Sequence, residues 1–258
     1  MKKNIFDLSG KVIIVTGGAG LLGKSFSKIL NEYGANVVIA DVNYDKAQKL
    51  ADKLGKNAKA FKVDITSKSS IEEFIHYMLD KYNKIDVLIN NAYPRNKKYG
   101  QKFEEIELDD WKDNIDMHLN GYFAITKLVS EVMIEQKNGD IINLGSIYGI
   151  QGPDFSIYKG TDMTSPTEYS AIKGGIINLT RYLASYLGKY NIRVNTLSPG
   201  GVFNKQNEDF VKNYEEKTPL KRMATPKDLE GAIVYLASDA SNYMTGHNLV
   251  VDGGWTIC

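Results

Sequence analysis

Cysteine is almost missing from this sequence, with Cys258 the only one among 258 residues. One thiol closes no intramolecular disulfide and builds no thiolate metal cluster, which fits a reducing compartment. No metal site is expected. Charge of one sign is equally scarce: 32 Lys and Arg stand against 31 Asp and Glu, for a formal net charge of +1. Such a chain has no global field to draw it to nucleic acid or an anionic membrane. No apolar run reaches the roughly 20 residues of a membrane span. The leading MKKNIFDLSGK carries two lysines, but the apolar stretch at 12–15 is strand-sized, too short for a signal peptide. A cytoplasmic protein with no nucleic-acid or membrane partner is the expectation. Linkers, low-complexity tracts and internal repeats are also absent, so 1–258 reads as one domain.

Present instead are seven short β-branched runs, at 11–16, 36–41, 58–63, 85–90, 140–145, 192–197 and 248–251, each followed by an amphipathic segment. KVIIV, NVVIA and KIDVLI are nearly continuous in apolar character, as strands buried on both faces of a parallel sheet must be. Right-handed crossovers then give an α/β fold, a single Rossmann-type doubly wound domain whose seven-stranded parallel sheet has helices on both faces. Capping chemistry marks helix starts at Ser69, with Glu72 three residues on, and at Thr225, with Pro226 and Asp228 behind it. Segments 151–167 and 201–217 fit neither strand nor long helix, although the second has room for a short one. Loops of that length in a compact domain are usually functional, and both are read as substrate loops.

The first strand runs into Thr16-Gly17-Gly18-Ala19-Gly20-Leu21-Leu22-Gly23 and then directly into a helix. Glycine lets a backbone turn sharply and approach a pyrophosphate, while the helix amino terminus offers unpaired N–H groups. Tight strand–helix turns also need glycine for steric reasons alone, so the position after the first buried strand carries the argument. Gly17, Gly20, Leu22 and Gly23 are placed against a dinucleotide. Asp41 ends the second strand, eighteen residues beyond Gly23, where a carboxylate accepts from ribose hydroxyls. It would repel the 2'-phosphate of NADP, and no arginine follows in Val42-Asn43-Tyr44-Asp45, so NAD is the expected cofactor over NADP.

Tyr169 and Lys173 are four residues apart on one expected helix face. A tyrosine with an ordinary pKa of about 10 exchanges protons near neutrality only if its phenolate is stabilised, and an adjacent ammonium does that. Asn90-Asn91-Ala92, Asn143-Leu144-Gly145-Ser146 and Asn195-Thr196-Leu197-Ser198-Pro199-Gly200 close three strands at the carboxyl ends where open α/β sheets bind ligands. With these motifs, and Val251-Asp252-Gly253-Gly254 near the end, the chain resembles the short-chain dehydrogenase/reductase family, in its classical branch, along nearly its whole length.

The resemblance implies Tyr169 as general acid/base, Lys173 as the group that lowers its pKa and holds the nicotinamide ribose, and Ser146 as the partner of the substrate oxygen. It places Asp64 and Ile65 at the adenine, Asn90 and Ala92 beside the adenosine, and Pro199, Gly200 and Val202 beside the nicotinamide. An Asp that merely opens a turn explains Asp64 as well. A homodimer or homotetramer through two long helices, 110–136 and 169–189, is likewise implied.

Four departures from the family stand out. The glycine spacing at Gly20 resembles the extended, sugar-nucleotide branch. His118 stands where the family's catalytic asparagine lies, with Asn120 on another helix face, so His118 is either a proton-relay residue or a buried structural histidine. Tyr93-Pro94-Arg95 follows Asn91-Ala92 in place of a glycine. Ser146 and Tyr169 are 23 residues apart (169 minus 146), longer than usual. The long loop and TEYSAIKGG are similar to a subgroup associated with bacterial surface sugars, including flagellin-modification proteins. Arg95, Lys97, Lys98, Lys159 and Lys205 are candidates to meet an anionic group, with Lys97 and Lys98 read as solvated. The expected activity is NAD-linked interconversion of a secondary alcohol and a ketone on a polar substrate, a sugar or amino-sugar phosphate. The alternatives are an epimerase or dehydratase that uses NAD transiently, and a non-catalytic NAD-binding regulator.

Overall fold

The computed structural model describes residues 4–257, so Cys258 lies outside the described residues. Seven strands form one sheet: β1 (Val12–Thr16), β2 (Asn36–Asp41), β3 (Ala58–Lys62), β4 (Val87–Asn90), β5 (Gly139–Leu144), β6 (Ile192–Pro199) and β7 (Asn248–Val251). Their order is β3-β2-β1-β4-β5-β6-β7, and every pairing is parallel. The strand order reverses between β1 and β4, which opens a crevice at their carboxyl ends.

The strands are apolar on both faces because helices cover both. On one side Val12, Ile14 and Leu88 pack with α3 (Lys68–Tyr82), α5 (Gly121–Gln136) and α6 (Thr167–Leu187). On the other, Ile13, Val15 and Ile89 meet α1 (Leu21–Glu32), α2 (Tyr44–Leu54) and α8 (Glu230–Ala237). Each fully buried aliphatic side chain there contributes roughly 1.5–3 kcal/mol. This architecture is the doubly wound α/β fold read from the strand pattern.

Three boundaries differ from expectation. The cap of α3 is Ser67, whose Oγ accepts from Ser70 N–H; Ser69 lies inside the first turn, and Glu72 pairs with Lys68 at 3.3 Å rather than closing a capping box. Ser67 has the extended φ of −111° that a cap needs, which its position after the Asp64 turn imposes. The expected helix 110–136 comprises α4 (Leu108–Ile115), a π-turn over Asp116–Asn120, and α5. Within 201–217 the helix is α7 (Glu208–Lys217), a full ten residues. The Thr225 signal does open a helix: Asp228 accepts from Thr225 N–H at 2.7 Å and receives Arg222 bidentately.

Candidate active site

A cavity of about 850 Å³ lies at the carboxyl ends of the strands. Its floor at one end is the turn from β1 to α1. Gly17 has φ +59°, and a Cβ on it would come within 2.7 Å of Ala92 Cα; a Cβ on Gly23 would strike Gly17 O. Those two glycines are demanded by the fold itself. Gly20 differs: it lines the cavity, and a Cβ there would meet only Gly17 O, at 3.1 Å. It caps α1 without a side chain, which leaves the first-turn N–H groups available to an anion. Leu21 and Leu22 line the cavity with it. Gly23 is not among the lining residues; it packs α1 closely on the turn.

Asp41, at the end of β2, accepts from Ala19 N–H at 3.0 Å and Asn43 N–H at 2.9 Å, which holds its carboxylate over the glycine turn. Asp64 and Ile65 line the same end. Asp64 Oδ1 also accepts from Thr66 N–H and Oγ1, so its turn-forming role is real alongside its place on the cavity wall.

Asn90 does not reach the cavity. Its amide donates to Thr126 Oγ1 and Asn143 Oδ1, both at 2.8 Å, and Asn143 donates to Thr180 Oγ1, which also pairs with Thr196. This buried polar ladder ties β4, β5 and β6 to α5 and α6. The neighbour Asn91 is the residue on the wall, with Nδ2 donating to the carbonyls of Thr16 and Gly17. Consecutive side chains of a strand end point to opposite faces, which turns Asn91 to the cavity and Asn90 to the interior.

At the other end Ser146, Tyr169 and Lys173 meet on one wall, near Pro199, Gly200 and Val202. Ser146 caps a 3-10 turn (Ile147–Gly149) and accepts from Tyr148 N–H at 3.2 Å. Gly149 allows that turn to lie on α6: a Cβ would come within 2.6 Å of the Lys173 carbonyl. Lys173 is buried, donates to Leu144 O at 2.7 Å and faces His118 Nε2 at 3.5 Å. Burial brings its ammonium down to about 7. The Tyr169 phenol is pushed up by burial, with the Ser146 hydroxyl pulling the other way. Desolvation dominates both groups, and the ammonium is spent on Leu144 and His118.

His118 lies beneath the cavity wall, fully buried, with its ring edge-on to Tyr93 (5.1 Å) and Tyr122 (5.0 Å). Burial, and then the Lys173 charge, hold it well below the usual imidazole range. Among the described residues its Nδ1 has no partner, and Asn120 turns away to Asp116.

The remaining walls are aromatic; Tyr93, Tyr158, Phe210 and Tyr214 stand in segments the sequence singles out, whereas Tyr148 does not. Tyr93 and Tyr148 stand edge-on to Tyr169 at 5.8 and 6.4 Å. Tyr158, Phe210 and Tyr214 enter from the two long segments. The β-strand and glycine motifs give no hint of Tyr148, Phe210 and Tyr214, since their spacing reflects loop packing. Of the basic candidates, Arg95 alone lines the cavity; Lys98 pairs with Asp110 at 3.0 Å, and Lys97, Lys159 and Lys205 lie off its walls.

A glycine turn and an acidic strand end at one side of a cavity, with Ser, Tyr and Lys at the other, define a nicotinamide-dinucleotide-dependent oxidoreductase class. The family model described as enoyl-(acyl carrier protein) reductase matches residues 18–256. Post-translational flagellin modification protein A of Campylobacter coli is 36% identical over 253 residues, 96% of this chain and 99% of that protein. Among solved structures, a short-chain dehydrogenase from Leptospira borgpetersenii with bound NAD+ aligns with TM-score 0.87 and 34% identity over 99% of this chain and 97% of that one. A gluconate 5-dehydrogenase from Burkholderia cenocepacia, in complex with NADP and tartrate, aligns with TM-score 0.87 and 28% identity over 98% of each. The chain belongs to the short-chain dehydrogenase/reductase family and is an oxidoreductase of that type. Among the described residues no helix is long and apolar enough to cross a membrane.

Proposed function

We propose that this protein transfers a hydride between NAD and a secondary alcohol or ketone of a polar, hydroxyl-rich substrate such as a sugar derivative, in the cytoplasm. The observation that carries the reading is the convergence of Ser146, Tyr169 and Lys173 on the cavity that also holds the Gly20 cradle and Asp41. The open backbone at Gly20 and the uncapped start of α1 fit a pyrophosphate, and Asp41 fits a ribose diol better than a 2'-phosphate. When bound, NAD supplies the acceptor for the carbinol hydride, or the donor in reverse. Ser146 Oγ holds the substrate oxygen. Tyr169 Oη takes the hydroxyl proton during oxidation and returns it to the forming alkoxide during reduction. Lys173 fixes the ribose side of the pocket, and His118 fixes Lys173.

A screen of sugars, sugar acids and sugar phosphates, read by NADH absorbance and repeated with NADP, tests this. Net NADH must accumulate; an epimerase or dehydratase would leave the cofactor pool unchanged. Tyr169→Phe should abolish turnover, by at least about a hundredfold for a general acid/base, while NADH binding persists. Retained activity in that variant would overturn the assignment. The reading includes a homodimer or homotetramer through α5 and α6, supported by exposed Phe123, Tyr182 and Tyr186, and checked by light scattering.

A further inference from the structure

The charged groups on the cavity wall are unevenly placed. Asp41 and Asp64 sit at the ends of β2 and β3, on the side of the glycine turn. Arg95 and Lys173 sit on the side of Tyr169 and Ser146, where no carboxylate lines the wall. Lys173 is already engaged by Leu144 O and His118. Arg95 has no carboxylate partner among the described residues; its guanidinium lies over the Tyr93 ring at 4.9 Å and 5.9 Å from the Tyr99 centroid.

That placement is built. Tyr93 Oη donates to Tyr99 Oη at 2.6 Å, and the Tyr93 ring stands against both Tyr169 and His118. The loop is held just past Arg95 by buried Asn114, whose Oδ1 accepts from Asn96 N–H at 3.0 Å and whose Nδ2 faces Asn96 Oδ1 and Glu168 Oε1, each at 3.3 Å. Glu168 directly precedes Tyr169 and is itself buried. One network therefore fixes the loop beside exposed Arg95 relative to the phenol, and the guanidinium itself rests on the Tyr93 ring. A planar, permanently charged fork held on two aromatic faces is suited to a carboxylate or phosphate, and part of its ordering cost is already met in the free protein.

We infer that Arg95 is a specificity-determining residue that receives an anionic group, carboxylate or phosphate, of the substrate whose carbinol faces Tyr169. The inference rests on the dehydrogenase reading of the site, but its test does not use turnover. The enzyme–NADH complex is titrated with gluconate, glucose 6-phosphate and neutral glucitol, followed by nucleotide fluorescence or calorimetry, in wild type, Arg95→Gln and Arg95→Lys. Wild type should bind at least one of the two anions more tightly than glucitol, and the preferred one identifies the group. Arg95→Gln should weaken that anion at least about tenfold, the weight of one charge-assisted contact, with Arg95→Lys between them and glucitol unaffected. Tyr169→Phe should keep the anion affinity, so a failure of the catalytic assignment leaves this result readable. Equal anion affinity in wild type and Arg95→Gln, no preference of wild type for either anion over glucitol, or a loss of NADH affinity in Arg95→Gln would each overturn the assignment.

Discussion

Burial raises the Tyr169 phenol and lowers the Lys173 ammonium. The proton chemistry of the pair therefore depends on what is hydrogen-bonded to each. His118 is the residue best placed to control Lys173: a neutral imidazole 3.5 Å from Nζ, packed between Tyr93 and Tyr122. Its side chain is not among those lining the cavity, so the role expected of it is to position Lys173 rather than to touch substrate. His118→Asn retains a group able to accept from the ammonium, whereas His118→Leu leaves Nζ one partner short in a buried place. Loss of such a partner costs about 1–3 kcal/mol. The expectation is a kcat close to wild type for Asn and a fall of about tenfold or more for Leu, with KM little changed. If Asn and Leu behave alike, His118 is a packing residue only.

At the scale of elements, the two long segments form one structure. The 3-10 turn Phe155–Tyr158 packs on α7: Tyr158 meets Phe210 at 5.3 Å, and Asn213 Nδ2 donates to the carbonyls of Ile157 and Lys159 at 3.1 and 3.0 Å. Asp154 is paired with Lys217. Tyr214 closes the group, stacked on Trp255 at 4.3 Å and accepting from Gly201 N–H at 2.6 Å. The Lys217 partner lowers the Asp154 carboxyl from 3.8 to about 2. Because the folded pKa is the depressed one, the clasp contributes above about pH 4 and is lost as pH falls through about 2. Asn213→Ala should raise the substrate KM and the rate of proteolysis within 151–163, with NADH affinity unchanged. Unaltered proteolysis would show that the two segments move independently. Sequence patterning gives no long helix or strand here because most of the apolar side chains of these segments pack in a small cluster of their own, with Ile157, Phe210 and Tyr214 against Trp255.

For the whole molecule, the sheet carries its function at one end and an ion network at the other. Asp140 and Arg193 are register partners at the amino ends of β5 and β6, joined at 2.7 Å, with Lys11 at 3.7 Å. Burial pushes the Asp140 carboxyl up, while Arg193 and Lys11 pull it back. Arg193→Met would leave that buried carboxylate with Lys11 alone at 3.7 Å, at a cost approaching that of a broken buried pair, about 3–5 kcal/mol. The penalty should shrink as pH falls through the raised pKa of Asp140, since protonation removes the buried charge. Denaturant unfolding at two pH values checks both statements, and an unchanged midpoint at neutral pH would refute them. What the sequence determined by itself is the alternation of strands and helices, the parallel sheet, the glycine turn, Asp41 and the Tyr169–Lys173 face. Each of these is local: hydrophobic periodicity, a steric requirement of a turn, or two residues one helical turn apart. Only the tertiary structure decided that Asn91 rather than Asn90 faces the cavity, and that Lys173 answers to Leu144 and His118. It also decided that Arg95 alone of five basic candidates reaches the site. Those facts depend on how distant elements pack and on the desolvation that packing causes, and neither leaves a period or a spacing in the chain.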